Sequence, residues 1–198
     1  MAFTIPGFLA TQYINYKLES QNEITDPEAK LTNTSYTENL NERIQKYDEQ
    51  GYDYDTELSS NEINVLKKKG SETPTIVFKG TSTIRDLKAD IDLTLGNESR
   101  NEDFKNAKEV LAKTTQKYKR QPNLYGHSLG SYKVEYLAKD DYTLQGTTFA
   151  TPFGKTSKAP PGIKQVSNDT DPIYDPLTLI TGRANIGKHV IAGHKRKK

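Results

Sequence analysis

Hydrophobic positions are sparse in the first third of the chain and become regular after it. Residues 18–62 are dominated by Asn, Glu, Thr, Asp and Tyr and contain one plausible helix, over 37–48. After a charged turn, the β-branched run TIVF at 75–78 is typical of a buried strand. We therefore expect residues 1–60 to form a peripheral wrap around a domain whose core comes from the rest of the chain.

A capping box precedes the strongest helical pattern. Ser99 and Glu102 have the S-x-x-E spacing that begins many helices, and apolar residues follow them at helical intervals. The pattern predicts a helix over about 101–119, which Pro122 ends. A second helix is predicted after residue 128, because the apolar residues there again fall on one face.

Short strand patterns lie before and after the second helix. They occupy residues 123–125, 143–152 and 163–167. Because strands and helices alternate, we expect a mostly parallel sheet with helical crossovers. A chain of 198 residues is long enough for one domain with a substantial core and too short for two domains of ordinary size. The prediction is therefore a single α/β domain spanning residues 1–198.

The composition excludes several kinds of site and partner. The chain has no Cys, which excludes disulfides, zinc thiolate sites and cysteine nucleophiles. Its 28 Lys and Arg nearly balance its 26 Asp and Glu, so neither nucleic acid nor an anionic membrane is expected as the main partner. No apolar stretch approaches the roughly 18 residues that span a bilayer, and no basic stretch precedes an apolar run near residue 1. We expect a soluble protein without a signal peptide.

The segment GHSLG at 126–130 has the pattern of a nucleophile elbow. A serine hydroxyl is a poor nucleophile, so an enzyme that uses one must expose it, supply a base and stabilise the oxyanion that forms. In this motif the serine lies on a strained turn between a strand and a helix, and the glycines, here Gly126 and Gly130, leave room for that turn. A strand pattern precedes Ser128 and a helical pattern follows it. The motif predicts Ser128 as the nucleophile, and the alternative is an ordinary serine in a glycine-bracketed turn.

Two ordered motifs resemble those of the class 3 lipases, whose fungal triacylglycerol lipases and plant acylhydrolases share GHSLG in an α/β-hydrolase core. Residues 76–93 (IVFKGTSTIRDLKADIDL) are similar to the strand, oxyanion loop and following helix of that family. The resemblance covers about 75–138 and extends more weakly to residue 175. It implies an α/β-hydrolase fold, with a mostly parallel central sheet flanked by helices, and a Ser-Asp-His triad that hydrolyses carboxylic esters. It also implies that the N–H groups of Thr81 and Leu129 bind the oxyanion.

The chain departs from the family pattern at several positions. Lys79 stands where the family usually has Arg, Ser131 replaces a second glycine, and Leu87 occupies an aromatic position. The stretch 94–103, where a lid would lie, is short and polar. We therefore expect a compact relative with a reduced lid. Its substrate would be an acylglycerol, a phospholipid or a small ester, reached by transient contact with a membrane surface where the ester is a lipid.

The acid and the base are expected after Ser128, because this fold orders its triad as Ser, acid, His. Asp169, Asp171 and Asp175 cluster directly after a strand pattern, and Asp171, followed by Pro and Ile, fits the family best. The cluster lacks the glycine and the final Glu of an EF-hand loop, so no metal is expected. Acyl transfer by a triad needs no cofactor, and none is expected.

The chain has three histidines from which the base must come. His127 lies inside the elbow, where it cannot act as base to its neighbour. His189 is favoured, because the apolar residues after it can anchor its loop on the core. His194 adjoins the basic end of the chain, which is expected to fray, but it stays open as the alternative.

The two ends of the chain suggest other classes of function. Residues 194–198 (HKRKK) are expected to form a solvated, disordered tail. The low hydrophobicity, the short length and this tail suit a protein encoded by a virus or phage, located in the cytoplasm or associated with a virion. Two alternatives to an enzyme stay open. One is a hydrolase fold that binds without turnover, and the other is a structural or virion interaction protein whose active surfaces are residues 1–60 and the tail.

Overall fold

A computed structural model describes residues 26–80, 102–149, 151 and 159–166 of the chain. The described residues form four helices and six strands. In chain order these are α1 (Pro27–Thr34), α2 (Leu40–Glu49), β1 (Tyr52–Tyr54), β2 (Ile63–Lys68), β3 (Pro74–Phe78), α3 (Glu102–Tyr118), β4 (Asn123–His127), α4 (Leu129–Asp140), β5 (Gln145–Phe149) and β6 (Ile163–Val166).

The six strands form one mixed sheet whose spatial order is also their order in the chain. The pairs β1–β2 and β2–β3 are antiparallel, whereas β3–β4, β4–β5 and β5–β6 are parallel. Only residues 69–73 join β2 to β3, and parallel neighbours need a crossover of about a dozen residues or more. The expected α/β arrangement is confirmed, but the expectation of a mostly parallel sheet is wrong for the first two pairs of strands.

The elements predicted for the described residues are present with slightly different ends. Helix α3 corresponds to the helix predicted over about 101–119, and α2 to the pattern at 37–48. The four strand patterns correspond to β3, β4, β5 and β6. Ser99, the predicted cap of α3, lies outside the described residues.

Helices α3 and α4 cover one face of the sheet. The crossovers β3–α3–β4 and β4–α4–β5 step across the sheet in the same direction, so crossovers of the same hand place both helices on the same side. The largest apolar cluster of the described residues lies between these helices and the sheet. It includes Ile76, Phe78, Leu124, Ala107 and Val134.

Helices α1 and α2 cover the opposite face, where Leu31 and Tyr47 pack against Val77 and Tyr125 of the central strands. Helix α1 begins at Asp26, whose carboxylate accepts hydrogen bonds from the first amides of the helix. The described part of the N-terminal third of the chain therefore provides the third layer of an α/β/α sandwich.

A buried carboxylate joins the outer strands of the sheet to α3. Asp55 follows β1 and accepts hydrogen bonds from the Tyr118 hydroxyl at 2.8 Å and from the amides of Glu57 and Leu58 at 3.1 and 3.2 Å. The Lys117 ammonium lies 2.8 Å from the same carboxylate. Burial raises the pKa of Asp55, but these hydrogen bonds outweigh burial and hold the pKa below its ordinary value. Burial and the bond to Asp55 also raise the pKa of Tyr118 to about 12, so its hydroxyl stays protonated at neutral pH.

We expect Asp55→Asn to lower the free energy of unfolding by about 1–3 kcal/mol, because the amide keeps the size of the side chain but loses its charge and leaves donors poorly satisfied. Urea denaturation at pH 7 measures the change. Asp53→Asn is the matched control, because Asp53 is exposed on β1, two residues before Asp55. Its effect on the free energy of unfolding should stay within about 0.5 kcal/mol.

The effect of Asp55→Asn should also depend on pH. The pKa of Asp55 in the folded protein lies below its unfolded value of about 4, so the carboxylate contributes its full stabilisation above that pH. The contribution is lost as the pH falls through the folded-state pKa. The difference between wild type and Asp55→Asn should therefore shrink in acid, and a constant difference from pH 7 to pH 3 would contradict this assignment.

Candidate active site

The predicted site residues follow the carboxyl ends of the parallel strands, which lie at one edge of the sheet. Gly80 follows β3, Ser128 follows β4, and the segment that contains Asp171 follows β6. The pairings of Phe78 with Gly126 and of His127 with Phe149 keep these ends level. Ligands of open α/β sheets bind at this kind of edge.

Several predicted residues lie outside the described part of the chain: Thr81, Asp171, His189 and His194. Their roles stay predictions. The structure does describe the segment 126–130, residues 79–80 after β3, and β6.

Ser128 has a backbone conformation that serine seldom adopts. Its φ of 55° and ψ of −124° lie in a region that favours glycine, and such a residue costs about 1–3 kcal/mol of strain. The surrounding bonds hold it there: the Ser128 N–H donates to the Phe149 carbonyl at 2.9 Å, and the Ser131 hydroxyl donates to the carbonyls of Gly126 and Phe149, both at 3.0 Å. Ser128 is the N-cap of α4, and its side chain makes no capping hydrogen bond. The residue is only 2% exposed, so the expectation of an exposed serine is wrong. The turn thus has the strained strand-to-helix geometry that GHSLG predicts.

The glycines of the motif let the elbow pack directly on β3. A Cβ atom at Gly126 would lie 2.5 Å from the Gly130 carbonyl oxygen, and one at Gly130 would overlap the Phe78 carbonyl. A Cβ atom at Gly80 would lie 2.9 Å from the Ser128 Cβ and 2.5 Å from the His127 carbonyl oxygen. The beginning of the oxyanion loop therefore lies against the serine.

The amides around Ser128 can stabilise a negative charge. Leu129 is the first residue of α4, where backbone N–H groups have no acceptor within the helix and the helix dipole favours an anion. In the loop after β3, the Lys79 N–H donates to the Glu62 carbonyl at 2.9 Å and the Gly80 N–H donates to the Tyr36 hydroxyl at 3.0 Å. The next amide along the chain is that of Thr81, the donor that the family resemblance implies.

His127 is fully buried beneath the elbow and is held by Tyr36. Its Nδ1 lies 2.6 Å from the Tyr36 hydroxyl, and the two rings meet edge to face with centroids 5.5 Å apart. Side chains alternate along a strand, so His127 projects to the face opposite that of Gly126. This position agrees with the sequence argument that His127 is not the base.

No sequence pattern indicates a role for Tyr36. Tyr36 lies in the polar segment 18–62, and its partner His127 is 91 residues further along the chain. Neither the spacing nor the hydrophobic pattern of a single sequence links two such positions.

A second buried carboxylate lies near the same edge of the sheet. Glu135 of α4 accepts hydrogen bonds from the Thr151 hydroxyl at 3.1 Å and from the Gln165 amide at 2.7 Å. Thr151 follows β5 and Gln165 belongs to β6. Glu135 therefore connects the carboxyl ends of β5 and β6 to α4. In the chain, the segment that contains Asp171 begins after β6.

The described residues contain neither a metal-binding cluster nor a membrane-spanning helix. No three His, Cys, Asp or Glu side chains in the described ranges are grouped so as to hold a metal ion. None of the helices that the structure describes is long and apolar enough to cross a membrane.

Comparisons with protein-family models, with curated proteins and with solved structures found no match to this chain. An assignment of function must therefore come from the motifs and from the geometry of the elbow.

Strain at Ser128 can be measured by comparing two substitutions. We expect Ser128→Gly to be more stable than Ser128→Ala by about 1 kcal/mol, because glycine accepts a positive φ and alanine does not. Chemical denaturation of both variants measures the difference. The same pair at Ser131, whose φ is not positive, should show the opposite order, since glycine destabilises a helix relative to alanine. Equal stability of the two Ser128 variants would contradict a strained elbow.

Proposed function

We propose that the chain is a serine esterase of the α/β-hydrolase type, related to the class 3 lipases, that hydrolyses carboxylic esters of lipids. The carrying observation is the strained strand-to-helix turn at Ser128, with the Gly80 loop against it and the first turn of α4 behind it. Strain of this kind persists where the surrounding structure enforces it, and it is concentrated at functional sites.

The proposed reaction is acyl transfer in two steps. His189 accepts the proton of the Ser128 hydroxyl while Ser128 Oγ forms a bond to the ester carbonyl carbon. The π electron pair of the C=O bond moves onto the carbonyl oxygen. The tetrahedral intermediate then expels the alcohol, which takes the proton from His189. Water attacks the acyl-enzyme in the same way and releases the carboxylic acid and free Ser128. Asp171 orients the imidazole and stabilises its protonated form.

The oxyanion of each intermediate is assigned to the amides of Leu129 and Thr81. Leu129 is the first residue of α4, so its amide has no acceptor within the helix. The amides of Lys79 and Gly80 already have acceptors, so Thr81 is the next residue of the loop whose amide is proposed to bind the oxyanion. Preorganised donors of this kind are worth about 10²–10³ in rate for each donor.

The proposed substrates are single lipid molecules or small esters. The family resemblance supports a lipid ester, and the short polar stretch at 94–103 argues against a large lid that opens on bulk fat. Acylglycerols and phospholipids both offer a suitable ester, and a substrate panel distinguishes them.

We expect a fluorophosphonate probe to label Ser128 in the full chain, because the probe reacts with a serine that has a working base and oxyanion hole. Mass spectrometry of the labelled peptide identifies the residue. Ser128→Ala should abolish labelling, whereas Ser71→Ala, in the turn at the opposite edge of the sheet, should not. A folded wild-type chain that is not labelled and does not hydrolyse esters would instead indicate a hydrolase fold that binds without turnover.

The choice of base is tested by substituting each C-terminal histidine. We expect His189→Ala to lower kcat for a short-chain nitrophenyl ester by about 10³ or more, because the serine then lacks its proton acceptor. His194→Ala should lower it less than about tenfold. The reverse result would assign the base to His194, and full activity of both variants would contradict the triad.

A further inference from the structure

Tyr36 connects the two halves of the proposed oxyanion hole. One half is the elbow, which belongs to β4 and α4, and the other is the loop that leaves β3. The Tyr36 hydroxyl accepts the hydrogen bond of the Gly80 amide at 3.0 Å and lies 2.6 Å from the His127 Nδ1. One tyrosine oxygen therefore lies within hydrogen-bond distance of both the loop after β3 and the residue before Ser128.

The backbone ladder alone does not set the position of the loop. The pairing of β3 with β4 ends where Phe78 lies opposite Gly126, and Lys79 is bonded to the other side, to Glu62. Gly80 is the last described residue before the proposed donor Thr81, and Tyr36 binds its amide. The same hydroxyl contacts the residue immediately before the nucleophile.

The fit around this hydroxyl is tight. A Cβ atom at Gly80 would lie 2.6 Å from the Tyr36 oxygen, so the loop, the tyrosine and the elbow are in mutual contact. Two oxyanion donors act together only when both lie about 2.7–3.1 Å from one oxygen atom. A shift of Gly80 relative to the elbow would move the start of the loop in which the proposed donor Thr81 follows.

We propose that Tyr36 is a positioning residue for the reaction, which holds Gly80, at the start of the loop after β3, against the elbow by contacting Gly80 and His127 through one hydroxyl. This inference rests on the proposed function. The Tyr36 hydroxyl contacts the Gly80 amide and His127, so we expect its contribution in the transition state and not in ground-state binding of the ester.

The test compares Tyr36→Phe with Tyr118→Phe in the full chain. Both remove one hydrogen-bonded hydroxyl from a half-buried tyrosine, but Tyr118 bonds Asp55 at the end of α3, at the opposite edge of the sheet. We expect Tyr36→Phe to lower kcat for a short-chain ester by about 10–100-fold with KM changed less than about threefold. The inhibition constant of an alkylboronic acid, whose serine adduct places an oxygen in the oxyanion hole, should rise by the same factor as kcat falls. Tyr118→Phe should change neither quantity.

A second pair of variants covers the case in which Tyr36→Phe does not fold. His127→Asn keeps an acceptor near the position of Nδ1, whereas His127→Leu removes it. We expect His127→Leu to lose more kcat than His127→Asn, at similar KM.

The outcomes separate this inference from the proposed function. A wild-type chain that reacts with fluorophosphonate, together with a Tyr36→Phe variant of unchanged kcat and boronic acid affinity, overturns the role of Tyr36 alone. Equal kcat for the two His127 variants likewise overturns it. A folded wild-type chain without labelling or ester hydrolysis overturns both proposals.

Discussion

The close contact between the ends of β3 and β4 is the constraint on which the candidate site depends. Gly130, in the first turn of α4, packs on the Phe78 carbonyl with no room for a side chain, and the strands pair in parallel up to that point. The elbow is therefore fixed to β3, the strand that Gly80 follows. A strained residue such as Ser128 is stable only on a support of this kind, because the energy of its backbone must be offset by the packing around it. The same contact places Gly80 beside Ser128, at the beginning of α4.

The N-terminal third of the chain contributes more than a covering layer. Helix α1 buries Thr32 and Thr34, whose hydroxyls donate to carbonyls one turn earlier in the same helix, at 2.8 and 2.9 Å. A polar face of this type can be buried at little cost because it satisfies its own hydrogen bonds. The turn after α1 then delivers Tyr36 to the elbow. A segment with few apolar residues thus completes both the sandwich and the surroundings of the serine.

What the sequence predicts depends on how local the signal is. Helix α3 could be predicted because a capping box and a regular apolar period lie within one segment, and the elbow because five adjacent residues define it. Helix α1 could not, since its buried threonines are invisible to a hydrophobic pattern. The three-residue strand β1 is too short to show an alternation, and its antiparallel neighbour β2 has a continuous run of buried residues. The role of Tyr36 depends on a contact across 91 residues, which no local pattern contains.

The sheet has the same order in space as in the chain, and this affects how the molecule assembles. Each new strand can add to the edge left by the previous one, so the sheet can grow strand by strand during synthesis. The helical layer from the N-terminal third is different, because Glu28 of α1 bonds Thr147 of β5, across 119 residues. That layer can dock fully only after β5 has joined the sheet. We therefore expect the contacts of the N-terminal layer with the elbow to form late in folding. A nascent or partly folded chain would then contain the motif without these contacts.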